Sequence, residues 1–313
     1  MTLSKLLFLP LLIPTLCYGE MLDRLRNDSE ETPIIIEAEN SVVCDETMNK
    51  CVATGNALAK KGTSTIYADV LTVFFTEGKG RDITAMMADG HVVMETPSEK
   101  AYGDHAHYDV ALDRVLLTGG NLKIVTSKEN ITARDSLEYW HAQNKGIARG
   151  KAVATFPEKE ELIEADTLTA YFSPSEGKKK EGKEKLSIDR LEAEGNMLAS
   201  SPKGFVTGDR GVYYAKNHLV EVFDNVRILQ GDNIIEGGYA RHNLKTNVAE
   251  MFAQPVGCSQ SGAQKRISGI IIPKDAKNIK EKKKDPLKET SAKHKDRQIL
   301  PLPAKRESET LSQ

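Results

Sequence analysis

Aromatic residues are scarce: Phe, Trp and Tyr make up 6% of 313 residues, with a single tryptophan. No stretch of about 20 apolar residues occurs, which excludes a membrane-spanning helix and leaves a soluble mature chain as the expectation. Helical spacing of apolar residues persists nowhere beyond two turns, which argues against a helical fold. There is no Gly-x-Ser-x-Gly, phosphate loop, dinucleotide glycine set or His-Glu-x-x-His, so no catalytic residue and no cofactor is expected. Cysteine is limited to Cys17, Cys44, Cys51 and Cys258. A lone Cys-x6-Cys pair is poor ground for a metal site, and His105-x-His107 has no evident third ligand, so no metal is expected either. The net charge is only −2.

That small charge hides an asymmetry. Residues 255–313 hold 14 Lys and Arg against 7 Asp and Glu, and Lys5 adds one more cation near the start, which leaves −10 for residues 20–254. An acidic body lacks the basic face that nucleic-acid binding needs. Residues 1–19 have the layout of a secretory signal peptide: Lys5, an apolar run from Leu6 to Leu16, then Cys17-Tyr18-Gly19. Intact-mass analysis of the exported form should therefore start at Glu20 or within a few residues. Retention of Met1 in the mature chain would contradict this. Residues 20–33 read as an N-terminal extension. Residues 255–313 read as a basic, largely disordered tail, inert or in contact with anionic lipid or sugar phosphates.

Export changes how the cysteines are read. Cys44 and Cys51 flank a polar turn, Asp45 to Lys50, between apolar stretches. In an oxidising compartment they should close a disulfide across a hairpin, and Cys258 is then the odd one out.

What the sequence does contain is an internal repeat. A Gly-Asn-apolar motif recurs at Gly55-Asn56-Ala57, Gly90-His91-Val92, Gly120-Asn121-Leu122, Gly150-Lys151-Ala152, Gly195-Asn196-Met197 and Asp224-Asn225-Val226. A second motif is interleaved: Ile36-Glu37-Ala38-Glu39, Ile66-Tyr67-Ala68-Asp69, Tyr102-Gly103-Asp104, Ile131-Thr132-Ala133-Arg134-Asp135, Ile163-Glu164-Ala165-Asp166 and Val206-Thr207-Gly208-Asp209. Apart from a charged loop at 173–185, the period is about 30 residues, as expected of stacked supersecondary units that bury their apolar faces against neighbours.

The units read as strands. Leu122-Lys123-Ile124 and Val226-Arg227-Ile228 alternate with period 2, and Val70 to Phe75 is a β-branched and aromatic run. Residues 33–254 should hold roughly 13–16 antiparallel strands. Gly-Asn pairs tolerate positive φ and read as turns or strand starts. The recurring Asp reads as a corner residue bonded to its own backbone. If Lys123 and Arg227 point outward, the inward positions are Val92, Met94, Leu122, Ile124, Ala152, Ala154, Met197, Ala199, Val226 and Ile228, with no aromatic among them. Such an interior could accept acyl chains or be an ordinary filled core.

These motifs together resemble the LptA/OstA-like proteins. The resemblance rests on Ile35-Ile36-Glu37-Ala38, Ala53-Thr54-Gly55-Asn56-Ala57 and Ile66-Tyr67-Ala68-Asp69, continues through Ile131 to Trp140, and covers 34–254. It implies an all-β, twisted, open-ended β-jellyroll of antiparallel repeats that holds lipopolysaccharide acyl chains inside while the sugars stay in solvent. It further implies a periplasmic location, an inner-membrane-anchored partner of similar fold, an outer-membrane assembly complex as second partner, and head-to-tail self-association. The competing expectation is a β-repeat envelope scaffold or sugar-binding protein with a filled core.

Overall fold

The computed structural model describes residues 33–78, 82–174, 186–255 and 266–272. The expected signal peptide, most of the 20–33 extension, residues 175–185 of the charged loop, Cys258 and residues 273–313 lie outside them.

Period-2 patterning gives strands throughout. The first half holds β1 (Ile34–Glu37), β2 (Ser41–Asp45), β3 (Lys50–Lys61), β4 (Ser64–Phe75), β5 (Ile83–Glu95), β6 (Glu99–Asp109), β7 (Arg114–Thr118), β8 (Lys123–Thr126) and β9 (Asn130–Thr132). The second half holds β10 (Ser136–Trp140), β11 (Lys145–Phe156), β12 (Glu161–Pro174), β13 (Leu186–Ser201), β14 (Gly204–Tyr214), β15 (Leu219–Gln230), β16 (Asn233–Asn243), β17 (Val248–Phe252) and β18 (Ser268–Ile270). All pairings are antiparallel, and the long strands pair in chain order from β3 to β6 and from β11 to β16. The segments up to β17 exceed the expected 13–16 because three passes break into β1/β2, β7/β8 and β9/β10. The sheet also reaches past residue 254. β18 pairs with Glu236 to Ile234 of β16, so the region read as tail contains a paired strand.

A register shift falls near the middle of almost every pair: Thr54/Ala57, Tyr67/Val70, Asp89/Val92, Arg149/Ala152, Glu164/Thr167, Glu194/Met197, Thr207/Arg210 and Phe223/Val226. Stacked in register, these bulges form a crease that bends the ladder into two facing half-sheets. Gly55-Asn56, Gly90-His91, Gly150-Lys151, Gly195-Asn196 and Asp224-Asn225 are therefore mid-strand bulges, not turns or strand starts, whereas Gly120-Asn121 sits in the bend just before β8. Their positive φ is as expected: Gly55 +84° and Asn56 +40°, Gly195 +77° and Asn196 +50°.

The recurring carboxylates act across repeats, which corrects the own-backbone reading. Asn56 Nδ2 donates to Glu39 (2.8 Å), Gly120 N to Asp104 (2.5 Å), Asn196 Nδ2 to Asp166 (2.8 Å) and Asn225 Nδ2 to Asp209 (2.9 Å). His91 Nδ1 pairs with Asp69 at 2.9 Å, a bond that raises the imidazole pKa above its ordinary value. That clamp is therefore charged in acid and weakens as the pH rises through the raised pKa. Glu39, Asp69, Asp104, Asp166 and Asp209 thus lock the bulge of the next motif, while Asp135 pairs with the Arg134 guanidinium instead, and the locking explains why the two motifs alternate at a shared period.

Cys44 and Cys51 are direct cross-strand neighbours with Cα atoms 4.0 Å apart, and they form a disulfide. The loop is short, so the bond should contribute less than about 3 kcal/mol on the chain-entropy model. Reduction should leave the strand content of the circular dichroism spectrum intact. Loss of that spectrum on reduction would show that β2 nucleates the stack.

Candidate functional site: the interior between the half-sheets

Alternation along each strand decides what lies inside. Val92, Met94, Leu122, Ile124, Ala152, Ala154, Met197 and Val226 are all buried, and Ile228 packs against them half-buried. Lys123 and Arg227, one residue away from Ile124 and Ile228, are exposed. Both half-sheets contribute to one apolar cluster: Leu71, Leu117 and Leu137 come from one, Ile66, Ile124 and Ile131 from the other.

The interior is not uniform. Toward the N-terminal end lies a cavity of about 210 Å³ lined by Ala59, Ile66, Leu71, Met86, Met94 and Tyr108 among others. Its margins are Lys60 and Lys61 beside one hairpin, and Ile83 and Val110 beside hairpins at the opposite rim. The cavity therefore lies between the two rows of turns. Met86 and Met87 were missed at the sequence level, although unbranched thioether side chains are the residues that adapt best to variable contents. Further along, free volume falls to about 30 Å³ near Ile131, Ala154 and Leu191, and to about 40 Å³ near Met197, Val206 and Ile228.

The buried set also includes aromatic side chains, contrary to the aromatic-free inward set read from sequence. Tyr139, Phe156, Phe172 and Tyr213 all belong to the buried cluster. Tyr139 packs edge-on against His141, with ring centroids 4.8 Å apart. Burial pushes the Tyr213 hydroxyl pKa up to about 12, so it stays a neutral donor. His105 Nδ1 pairs with Asp89 at 2.8 Å, which gives it a structural role. Among the described residues no group of three or more His, Cys, Asp or Glu could hold a metal ion.

Both ends of the stack are open. β1 and β2 pair only with β3 among the described strands, and β17 and β18 only with β16. They carry exposed apolar side chains: Ile35, Val42 and Val43 at one end, Val248 and Ile270 at the other. No helix among the described residues is long and apolar enough to cross a membrane.

Fold and interior together define an open-ended β-jellyroll of stacked repeats with an apolar interior between two half-sheets. The chain belongs to the family described as LptA/(LptD N-terminal domain) LPS transport protein, whose model matches residues 35–145 and 135–248. Curated proteins yield no match. Among solved structures, LptH of Pseudomonas aeruginosa, described as the LptA-homologous periplasmic component of the lipopolysaccharide transport device, matches 78% of this chain and 97% of its own at 12% identity. The TM-score of that match is 0.21, and a superposition that loose carries no inference.

Proposed function

We propose that this chain is a periplasmic carrier that moves lipopolysaccharide from the inner toward the outer membrane with acyl chains inside the jellyroll and sugars in solvent. Family membership supports the cargo. The observation that carries the binding mode is the 210 Å³ apolar cavity between the rims, with Lys60 and Lys61 at its lip. Each methylene sheltered from water in such a space is worth about 0.8 kcal/mol, so each segment held inside recovers that part of the cost of drawing the chain out of the membrane. Cations at the lip suit a phosphorylated headgroup. No group in the interior needs to do chemistry, and the chain acts as a binding protein, not an enzyme.

The open ends support end-to-end docking. Unpaired strand edges invite another strand to extend the ladder. The occupants of this reading are an inner-membrane-anchored partner of similar fold, an outer-membrane assembly complex, and further copies of the chain. The test is native mass spectrometry of protein released from an envelope without detergent. A mass increment matching lipopolysaccharide is expected, and it should shrink at least several-fold in Met94→Trp, which fills the cavity. An unliganded wild-type chain in every preparation would leave the filled-core scaffold as the better description.

A further inference from the structure

The outer face of the half-sheet near one rim carries an alternation that neither the corner clamps nor the interior explains. Arg114 lies directly across from Trp140, Trp140 from Lys145, Lys145 from Tyr171, Tyr171 from Arg190, and Arg190 from Tyr214. Six strands, β7 and β10 to β14, thus contribute cation, aromatic, cation, aromatic, cation, aromatic in one row. At strand spacing the row is about 24 Å long. The stacking is real: Arg114 Cζ lies 5.1 Å and Lys145 Nζ 5.4 Å from the Trp140 ring, and Arg190 Cζ lies 4.1 Å from Tyr171.

Trp140, the chain's only tryptophan, is held from below. Its indole N–H donates to Glu138 at 3.1 Å, and Glu138 also accepts from Arg149 (3.0 Å) and Ser136 (3.3 Å). The carboxylate is therefore spoken for, and the ring is fixed in orientation. Arg114 and Lys145 have no carboxylate partner among the described residues. Asp109, opposite Arg114, instead accepts from the Leu112 N–H. On other strands some outer cations are matched by acids across the ladder, as in Arg241 with Glu250 and Arg227 with Glu236. Cross-strand stability alone needs no more than such pairs. A fixed aromatic face between two unmatched cations offers more. Flat rings accept the C–H faces of sugars, and guanidinium and ammonium groups bind phosphate or carboxylate.

We infer that the row from Arg114 to Tyr214 binds the anionic oligosaccharide part of the glycolipid, with Trp140 as the stacking platform and Arg114 and Lys145 as its anion contacts. This rests on the reading of the interior as an acyl-chain site. The row runs beside the hairpins that follow β6, β10 and β14, the rim of Ile83 and Val110 and opposite that of Lys60 and Lys61, so it serves the sugars that emerge at that rim, not the phosphates at the lysine lip.

The test uses the full mature chain and an acyl-free phosphorylated oligosaccharide released from lipopolysaccharide by complete deacylation. Trp140 fluorescence reports the row, and uptake of an apolar fluorescent probe reports the interior in the same samples. A saturable Trp140 response is expected, at least tenfold weaker in affinity for Arg114→Gln/Lys145→Gln and weakened similarly by removing the phosphates. Because these positions face outward, the variant's melting curve checks that it remains folded. A wild-type chain that takes up the probe but shows no response to the sugar overturns this inference and leaves the interior reading standing. So does equal sugar affinity in wild type and variant. Failure of probe uptake counts against the interior reading, whatever the sugar does.

Discussion

Gly195→Ala should destabilise the protein by about 3 kcal/mol or more, the cost of left-handed backbone strain plus a clash. Gly195 sits at φ +77°, and an added Cβ would lie 2.3 Å from Asp166 Oδ2. The glycine is required twice, once for the bulge and once for the approach of the carboxylate that clamps it. Gly231 separates the two causes. Its φ is +59°, but a Cβ there meets nothing within 4 Å, so Gly231→Ala should cost only about 1 kcal/mol for the left-handed conformation. Adding Asp166→Ala to Gly195→Ala should recover part of the loss, whereas Asp166→Ala in the wild-type chain should be destabilising. Chemical denaturation of the four proteins gives the coupling directly. Additive losses would mean that the acid and the bulge do not communicate.

The second large effect concerns the interior. Ile124→Asp places an unpaired carboxylate at a position 6% exposed, and burying such a charge costs several kcal/mol or forces its protonation. Lys123→Asp, one residue away and exposed, should cost less than about 0.5 kcal/mol. Destabilisation by Ile124→Asp should ease at low pH as the carboxylate becomes neutral, because a buried acid has a raised pKa and its neutral form is the one the interior tolerates. Thermal melts at pH 4.5 and 7.5 measure this. A pH-independent loss of equal size would point to shape, not charge.

Much of this architecture could be read from the residues, and the reason is its periodicity. Isoleucine-x-Ala-Asp and Gly-Asn motifs about 30 residues apart announced stacked units, and alternation at Leu122-Lys123-Ile124 and Val226-Arg227-Ile228 assigned the faces that the structure shows. What local patterns could not give was how the motifs meet. Asp166 and Asn196 are 30 residues apart and bond side chain to side chain. Reading each motif alone made the acid a self-bonded corner and the Gly-Asn pair a turn. The signal was present in the co-recurrence of one acceptor and one donor per period. The buried aromatics Tyr139, Phe156 and Phe172 were missed because only positions next to the Gly-Asn motif were projected inward. The row from Arg114 to Tyr214 was out of reach for a different reason: its members lie across a ladder whose register depends on the bulges between them.

The central claim is that the interior holds acyl chains, and site-specific photo-crosslinking in growing cells tests it most directly. A photoreactive residue at Met94, Ile124 or Ile228 should trap lipopolysaccharide as a covalent adduct, while one at Lys123 or Arg227 should trap at least several-fold less. Absence of any adduct at the three inward positions in correctly folded protein, or equal adducts on both faces, would contradict the account.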